Sequence, residues 1–253
     1  MEEEAGDAVT RRDNPTTPKS TVEEIRARFD KDVERFSNLE TGQSATIDAP
    51  LVLELIAEAA AATHPSATDV LDVGCGAGNY TLKLIERLPS IRHVTLIDLS
   101  RPMLDRAVER VAAAAPRVRV TPIQGDVREI DLGDAHFDVI VAAAVLHHLR
   151  GDEQWLAVFE KFHRALRPGG SVWVADLVAH ALPAVQAMMW RRYGEYLAAL
   201  RDGRYRDEVF AYVEKEDTPR PMGFQLDLLR RVGFGFVDVL HKNSCFGAFG
   251  AVK

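Results

Sequence analysis

Residues Val70–Leu84 read VLDVGCGAGNYTLKL. A short apolar run of strand character enters a turn in which Gly74, Gly76 and Gly78 alternate, and a helical pattern begins near Asn79. Glycine at alternate positions lets the backbone turn sharply and leaves no Cβ in the way of a ligand. The helix beyond such a turn presents free N–H groups at its start. Strand, glycine turn and helix together point to a nucleotide-type cofactor in an α/β fold. The dinucleotide fingerprint G-x-G-x-x-G needs a third glycine where this chain has Asn79, so the pattern is G-x-G-x-G, with Asp72 two residues ahead.

Outward from that stretch the periodicity alternates. Strands are expected at Val70–Val73, Val94–Ile97, Val118–Ile123, Phe137–Ala143 and Ser171–Ala175, separated by helices near residues 51–63, Tyr80–Leu88, Pro102–Ala115 and Glu153–Leu166. This order predicts a mostly parallel sheet with helices on both faces. Ala181–Tyr212 interrupts the rhythm with a helical, aromatic-rich segment containing Met188, Met189, Trp190, Tyr193 and Tyr196. A helix at Phe224–Val232 follows, and then two strands, Val237–His241 and Cys245–Val252, joined by a short turn. Residues 1–18 are polar and proline-punctuated, which predicts a disordered tail. Residues 19–48 read as a helical extension, with Ser20 and Thr21 each three residues ahead of a glutamate. Residues 49–253 read as one α/β domain, with a helical insert at about 181–215 as a lid.

The net charge is −7, and no lysine or arginine block overrides it, so no duplex nucleic-acid partner is expected. The densest basic group, Arg191, Arg192, Arg201, Arg204 and Arg206, reads as a solvated helical face. Two cysteines, Cys75 and Cys245, give neither a disulfide framework nor metal-ligand spacing. The start MEEEAGDAV lacks the order of a signal peptide, and no apolar run is long enough to span a membrane. A cytoplasmic protein with no membrane partner is the expectation; a homodimer paired through the N-terminal helix is open.

Ligands of open α/β sheets bind outside the carboxyl ends of the strands, and the polar residues fall there. Asp98 closes the second strand in VTLIDLSRPML; it suits either two ribose hydroxyls or a helix cap. Asp126 follows the third strand in QGDVREI, and Leu99 and Met103 suit either an adenine slot or plain core. Ala142, Ala143 and Ala144 end the fourth strand, leaving room for two reactants or for helix packing. His147 and His148 follow at once, as a general base or a loop anchor; a metal is not expected from two neighbouring histidines. Tyr193, Tyr196 and Tyr212 offer hydroxyls, and Arg220 a carboxylate anchor.

The ordered pieces VLDVGCGAGNY, the acid in LIDLS, QGDV, FDVIVAAAVLHHL and LRPGGSVWVADL resemble the class I S-adenosylmethionine-dependent methyltransferases over most of residues 49–253. The resemblance implies a Rossmann-like seven-stranded sheet whose last strand is antiparallel, and S-adenosyl-L-methionine as cofactor. It places Gly74, Cys75, Gly76 and Gly78 with Asp72 and Ala143 around the methionine moiety. Asp98 and Leu99 would hold the ribose, with Asp126 and Val127 on the adenine. A small-molecule acceptor is implied, with methyl transfer by in-line displacement. FDKDVERFSNL and the ending KNSCFGAFGAVK resemble the carboxy-S-adenosylmethionine synthase branch, which would put Phe36 over the cofactor. The arginine that branch uses for the extra carboxylate aligns near Phe210, and this chain has no basic residue there. The remaining readings are a tRNA-modification-related enzyme, an NAD-dependent oxidoreductase and a non-catalytic S-adenosylmethionine-binding module.

Overall fold

Alternation along β1 (Asp69–Val73) sets the layers. Leu71 and Val73 point to one side of the sheet, into a core with Trp155, Phe159 and Phe162. Val70 points to the other side, into a core with Ile56, Leu84 and Leu104. Buried on both faces, the strand needs helices above and below it. These observations come from a computed structural model, which describes residues 18–38 and 43–253. The tail expected at 1–18 falls almost wholly outside the described residues.

Among the described residues, α1 (Val22–Phe29) and α2 (Val33–Ser37) precede α3 (Ala49–Thr63). Then β1, α4 (Asn79–Arg87), β2 (His93–Asp98), α5 (Arg101–Ala114), β3 (Arg119–Gln124), β4 (Phe137–Ala143), α6 (Asp152–Ala165) and β5 (Leu166–Leu177) alternate. The insert forms α7 (Pro183–Leu200) and α8 (Gly203–Glu216), followed by α9 (Met222–Arg231), β6 (Phe236–Asn243) and β7 (Phe246–Val252). The sheet order is β3-β2-β1-β4-β5-β7-β6, with β7 antiparallel to both neighbours. The seven strands and the reversed last strand agree with the sequence expectation. Pro122 is tolerated because β3 is an edge strand with no partner on its outer side.

One sequence signal acts as expected, one helix cap falls on a residue not singled out, and one strand is longer. Thr21 and Glu24 form a reciprocal capping box that starts α1. Ser100 caps α5 by accepting from the Met103 N–H, so the cap is Ser100 and Asp98 is left for other work. Strand β5 starts at Leu166 rather than Ser171, and its pairing with β4 shifts register between Phe137 and Val139. The insert buries its own cluster, Tyr193, Leu197 and Val213, against Leu177, Cys245 and Phe246.

Candidate functional site

Gly74, Gly76 and Gly78 have φ of 68°, 49° and 82°, a region that L side chains rarely adopt. A Cβ on Gly74 would stand 2.7 Å from the Val145 side chain. The N–H groups of Gly74 and Cys75 both donate to the Ile97 carbonyl, at 2.8 and 3.0 Å, which ties the turn to the end of β2. Across from it Ala144 adopts φ 53° and so swings Val145 onto Gly74. A non-glycine residue in the left-handed region is strained, and such strain clusters at functional sites.

Between these turns lies a cavity of about 220 Å³ at the carboxyl ends of β1, β2 and β3. Gly74, Asp98, Leu99, Asp126, Val127 and His148 line it, and residues 20–22 and 25 roof it. The Asp98 carboxylate accepts from the Gly76 N–H and the Ser100 N–H, each at 2.8 Å. Burial pushes its pKa up to about 6, against these backbone donors and with the nearby Asp30 charge adding. Burial also works to raise Asp126, but Arg128 and the loop backbone hold it below its usual value. Arg128 Nε and its backbone N–H both donate to Asp126 Oδ1 at 2.9 Å. Lys161 donates to the Val127, Arg128 and Ile130 carbonyls at 2.7–2.9 Å and pins this loop.

Other residues expected at the cofactor stand behind the cavity. Strand alternation turns Asp72 toward α4, where it accepts from Thr81 Oγ1 at 2.6 Å and is 2 % exposed. Burial raises it to about 7. Cys75 and Met103 are buried core residues, and Gly78 packs its backbone against Ala107 of α5. Gly76 takes part through its N–H alone, and Ala143 is half-buried against the core of Ile56, Leu84 and Leu104. Phe36 does not line the cavity; its ring packs tilted against Phe29 with centroids 5.6 Å apart, and its carbonyl accepts from Asn79 Nδ2 at 3.1 Å. Asn79, standing where a dinucleotide fold has glycine, thus ties α2 to the start of α4.

The histidines separate. His147 faces away from the cavity and pairs through Nδ1 with Asp176; its backbone N–H donates to the same carboxylate at 3.1 Å. Burial lowers its pKa, but Asp176 and Asp217 outweigh that and carry it to about 9, so it is an imidazolium at neutral pH. His148 lines the cavity beside Phe29, with ring centroids 6.2 Å apart. Burial, and then the His147 charge, push its pKa well below the usual value despite the Glu216 backbone, so it is neutral.

The insert contributes from its far end, where Tyr212, Glu216 and Asp217 reach the histidines and α1. Arg28 donates to Glu216 at 2.9–3.2 Å and to the Tyr212 hydroxyl. The hydroxyls expected to serve an acceptor are committed elsewhere: Tyr193 to the Ala45 carbonyl and Tyr196 to the Ser44 carbonyl. Arg220 is held by Asp152. Asp217, Glu216 and Arg28 carry no sequence motif, and Asp176, though inside LRPGGSVWVADL, is not singled out by it, since the place of each strand or helix end is decided only by folding. The basic group is largely spent on neighbours: Arg191 on Glu195, Arg204 on Glu208 and Arg206 on Asp207.

A family profile described as a methyltransferase domain matches residues 70–170. The 2-phytyl-1,4-naphtoquinone methyltransferase of Nostoc punctiforme is 26% identical over 170 residues, 67% of this chain and 73% of that one. The carboxy-S-adenosyl-L-methionine synthase of Chromohalobacter salexigens is 34% identical over 133 residues, 51% of this chain and 47% of its own length. Human N-acetylserotonin methyltransferase, solved in complex with SAM, shares the fold with a TM-score of 0.59 at 17% identity. That likeness covers 92% of this chain and 57% of the human one. Over residues 70–170 the chain is thus similar to methyltransferase domains, and it shares the fold of S-adenosylmethionine-dependent methyltransferases.

Proposed function

We propose that the protein transfers a methyl group from S-adenosylmethionine to a small organic acceptor. The observation that carries this is the convergence of Gly74, Asp98, Asp126 and His148 on one cavity at the carboxyl edge of the sheet. The donor set fits the cofactor: Asp98 offers carboxylate oxygens for ribose hydroxyls, and Leu99 and Val127 offer apolar walls. Asp126 and the loop pinned by Lys161 would serve the adenine edge, and Gly74 lines the cavity on the side left for the amino-acid part. When bound, S-adenosylmethionine supplies an electrophilic methyl group on a sulfonium sulfur. The protein's share is to position the acceptor and keep water out. Residues Ser20–Ile25, with Phe29, close the cavity from above.

The catalytic assignment narrows to His148, a neutral imidazole at the cavity wall. His147 already holds a proton between two carboxylates and has no lone pair to offer. Relatives described as quinone methyltransferases make quinols and phenols the first acceptors to try. The spent arginines support a small molecule over nucleic acid. Where the carboxy-S-adenosylmethionine synthase branch needs an arginine, Phe210 stacks on Trp190 with ring centroids 4.7 Å apart; that supports methyl over carboxyl transfer.

The test is calorimetry with S-adenosylmethionine and S-adenosylhomocysteine, followed by S-adenosylhomocysteine release with a panel of quinols, phenols and carboxylic acids. One-to-one binding and acceptor-dependent release are expected. No binding at millimolar concentration overturns the reading, and binding without turnover across the panel leaves a cofactor-binding module.

A further inference from the structure

We propose that His147, His148 and Asp217 form a binding site for one divalent transition-metal ion at the wall of the cavity. Asp217 Oδ1 stands 3.3 Å from His148 Nδ1 and 3.6 Å from His147 Nε2. Each residue's ligand atom lies within 4.8 Å of the others. Nitrogen and oxygen ligands held about 2.0–2.1 Å from a tetrahedral Zn²⁺ are themselves about 3.3–3.4 Å apart. Both of these edges of the triangle are close to that spacing.

The second observation is unmet hydrogen bonding. Both ring nitrogens of His148 and Asp217 Oδ1 are buried with no hydrogen-bond partner, and Asp217 is 5 % exposed. Leaving such groups unsatisfied forfeits their hydration with no return, so native structures rarely do so. A proton on His147 answers Asp217, while His148 keeps only its 3.3 Å approach to the same oxygen and the nearby Glu216 backbone. A cation at the centre of the triangle displaces the proton from His147 and accepts a lone pair from each residue.

The orientation of His147 is already that of a ligand. Asp176 holds its Nδ1 and is itself fixed by the His147 and Leu177 N–H groups, which leaves Nε2 turned toward Asp217. A carboxylate behind a histidine is the usual support of a metal-bound imidazole. Two imidazoles and one carboxylate suit Zn²⁺, Fe²⁺ or Mn²⁺ better than an all-oxygen site for Mg²⁺ or Ca²⁺.

The ion would join the turn after β4 to the end of α8, where the Thr218 N–H already donates to the His147 carbonyl at 2.7 Å. Three protein ligands leave a position for water or a substrate oxygen, and His148 is the ligand that also lines the cavity. The site is independent of the methyl-transfer reading, because its test measures metal and not turnover.

The experiment is titration of the chelator-treated full chain with Co²⁺, read by visible absorption, and with Zn²⁺, read by calorimetry. One ion per chain is expected. Asp217→Asn and His148→Gln should each weaken it by at least about 100-fold, and Asp176→Asn by about 10–100-fold. Thermal melts confirm that each variant folds. His136→Ala is the control: Asp69, His93 and His136 make another histidine–aspartate group at the opposite end of the sheet. No stoichiometric binding by the wild-type chain overturns the proposal, as does binding that survives both ligand substitutions or vanishes with His136→Ala.

Discussion

Asp98 is held by two backbone N–H groups and still has a pKa of about 6. As a carboxylate it can accept from ribose hydroxyls; protonation removes acceptor capacity. The folded-state pKa lies above the usual aspartate value, so the charged form is complete only above about pH 7. On our assignment, affinity for S-adenosylmethionine is level from pH 7 to 8 and falls below pH 6, by up to about tenfold per unit. Asp98→Asn should flatten the profile and weaken binding at pH 7.5 by about 10–100-fold, the worth of hydrogen bonds to a charged group. Calorimetry from pH 5 to 8 checks both. At Gly74 the constraint is steric rather than electrostatic. Gly74→Ala combines a Cβ 2.7 Å from Val145 with φ 68°, so a loss of about 1–3 kcal/mol is expected in urea unfolding.

At the scale of elements, α1 connects the cavity roof to the end of α8. Its capping box starts it, Arg28 anchors it to Glu216, and Phe29 reaches both Phe36 and His148. Glu216 is 6 % exposed and would be left buried and unpaired by Arg28→Met. Breaking a fully buried pair costs about 3–5 kcal/mol; the partial exposure of Arg28 reduces the expectation to about 2–3 kcal/mol. Adding Glu216→Gln removes the stranded charge and should recover part of the loss. A double-mutant cycle by urea unfolding measures the coupling, and a coupling near zero would show that α1 is held by its apolar contacts alone.

For the molecule as a whole, the reversed strand β7 is the point of tightest closure. It lies between β5 and β6, so both cores depend on its seating. Gly250 pairs with Trp173, and a Cβ there would stand 2.1 Å from the indole ring and 2.5 Å from the Val172 carbonyl. Gly250→Ala therefore displaces backbone or the Trp173 ring. A loss of about 3 kcal/mol or more is expected, the upper end of overpacking effects, with one cooperative transition in calorimetry. Splitting into two transitions would mean that the β6–β7 hairpin melts apart from the parallel strands.

Strand and helix periodicity alone determined the order of elements here, because local side-chain alternation depends on neighbours in the chain. The spacing of glycines and acids at strand ends determined the kind of cofactor site for the same reason: Gly74, Asp98 and Asp126 each close a strand, and the sheet topology brings strand ends together. Tertiary structure decided which residues face the cavity. Asp72 and His147 fit their motifs as well as Asp98 and His148 do, yet one turns beneath α4 and the other toward Asp176. Asp217, Glu216 and Arg28 were illegible as site residues, because the partners that place them lie 69 to 188 positions away along the chain. Proximity across such distances is fixed by packing of the insert and the N-terminal helix, which no short window of sequence encodes.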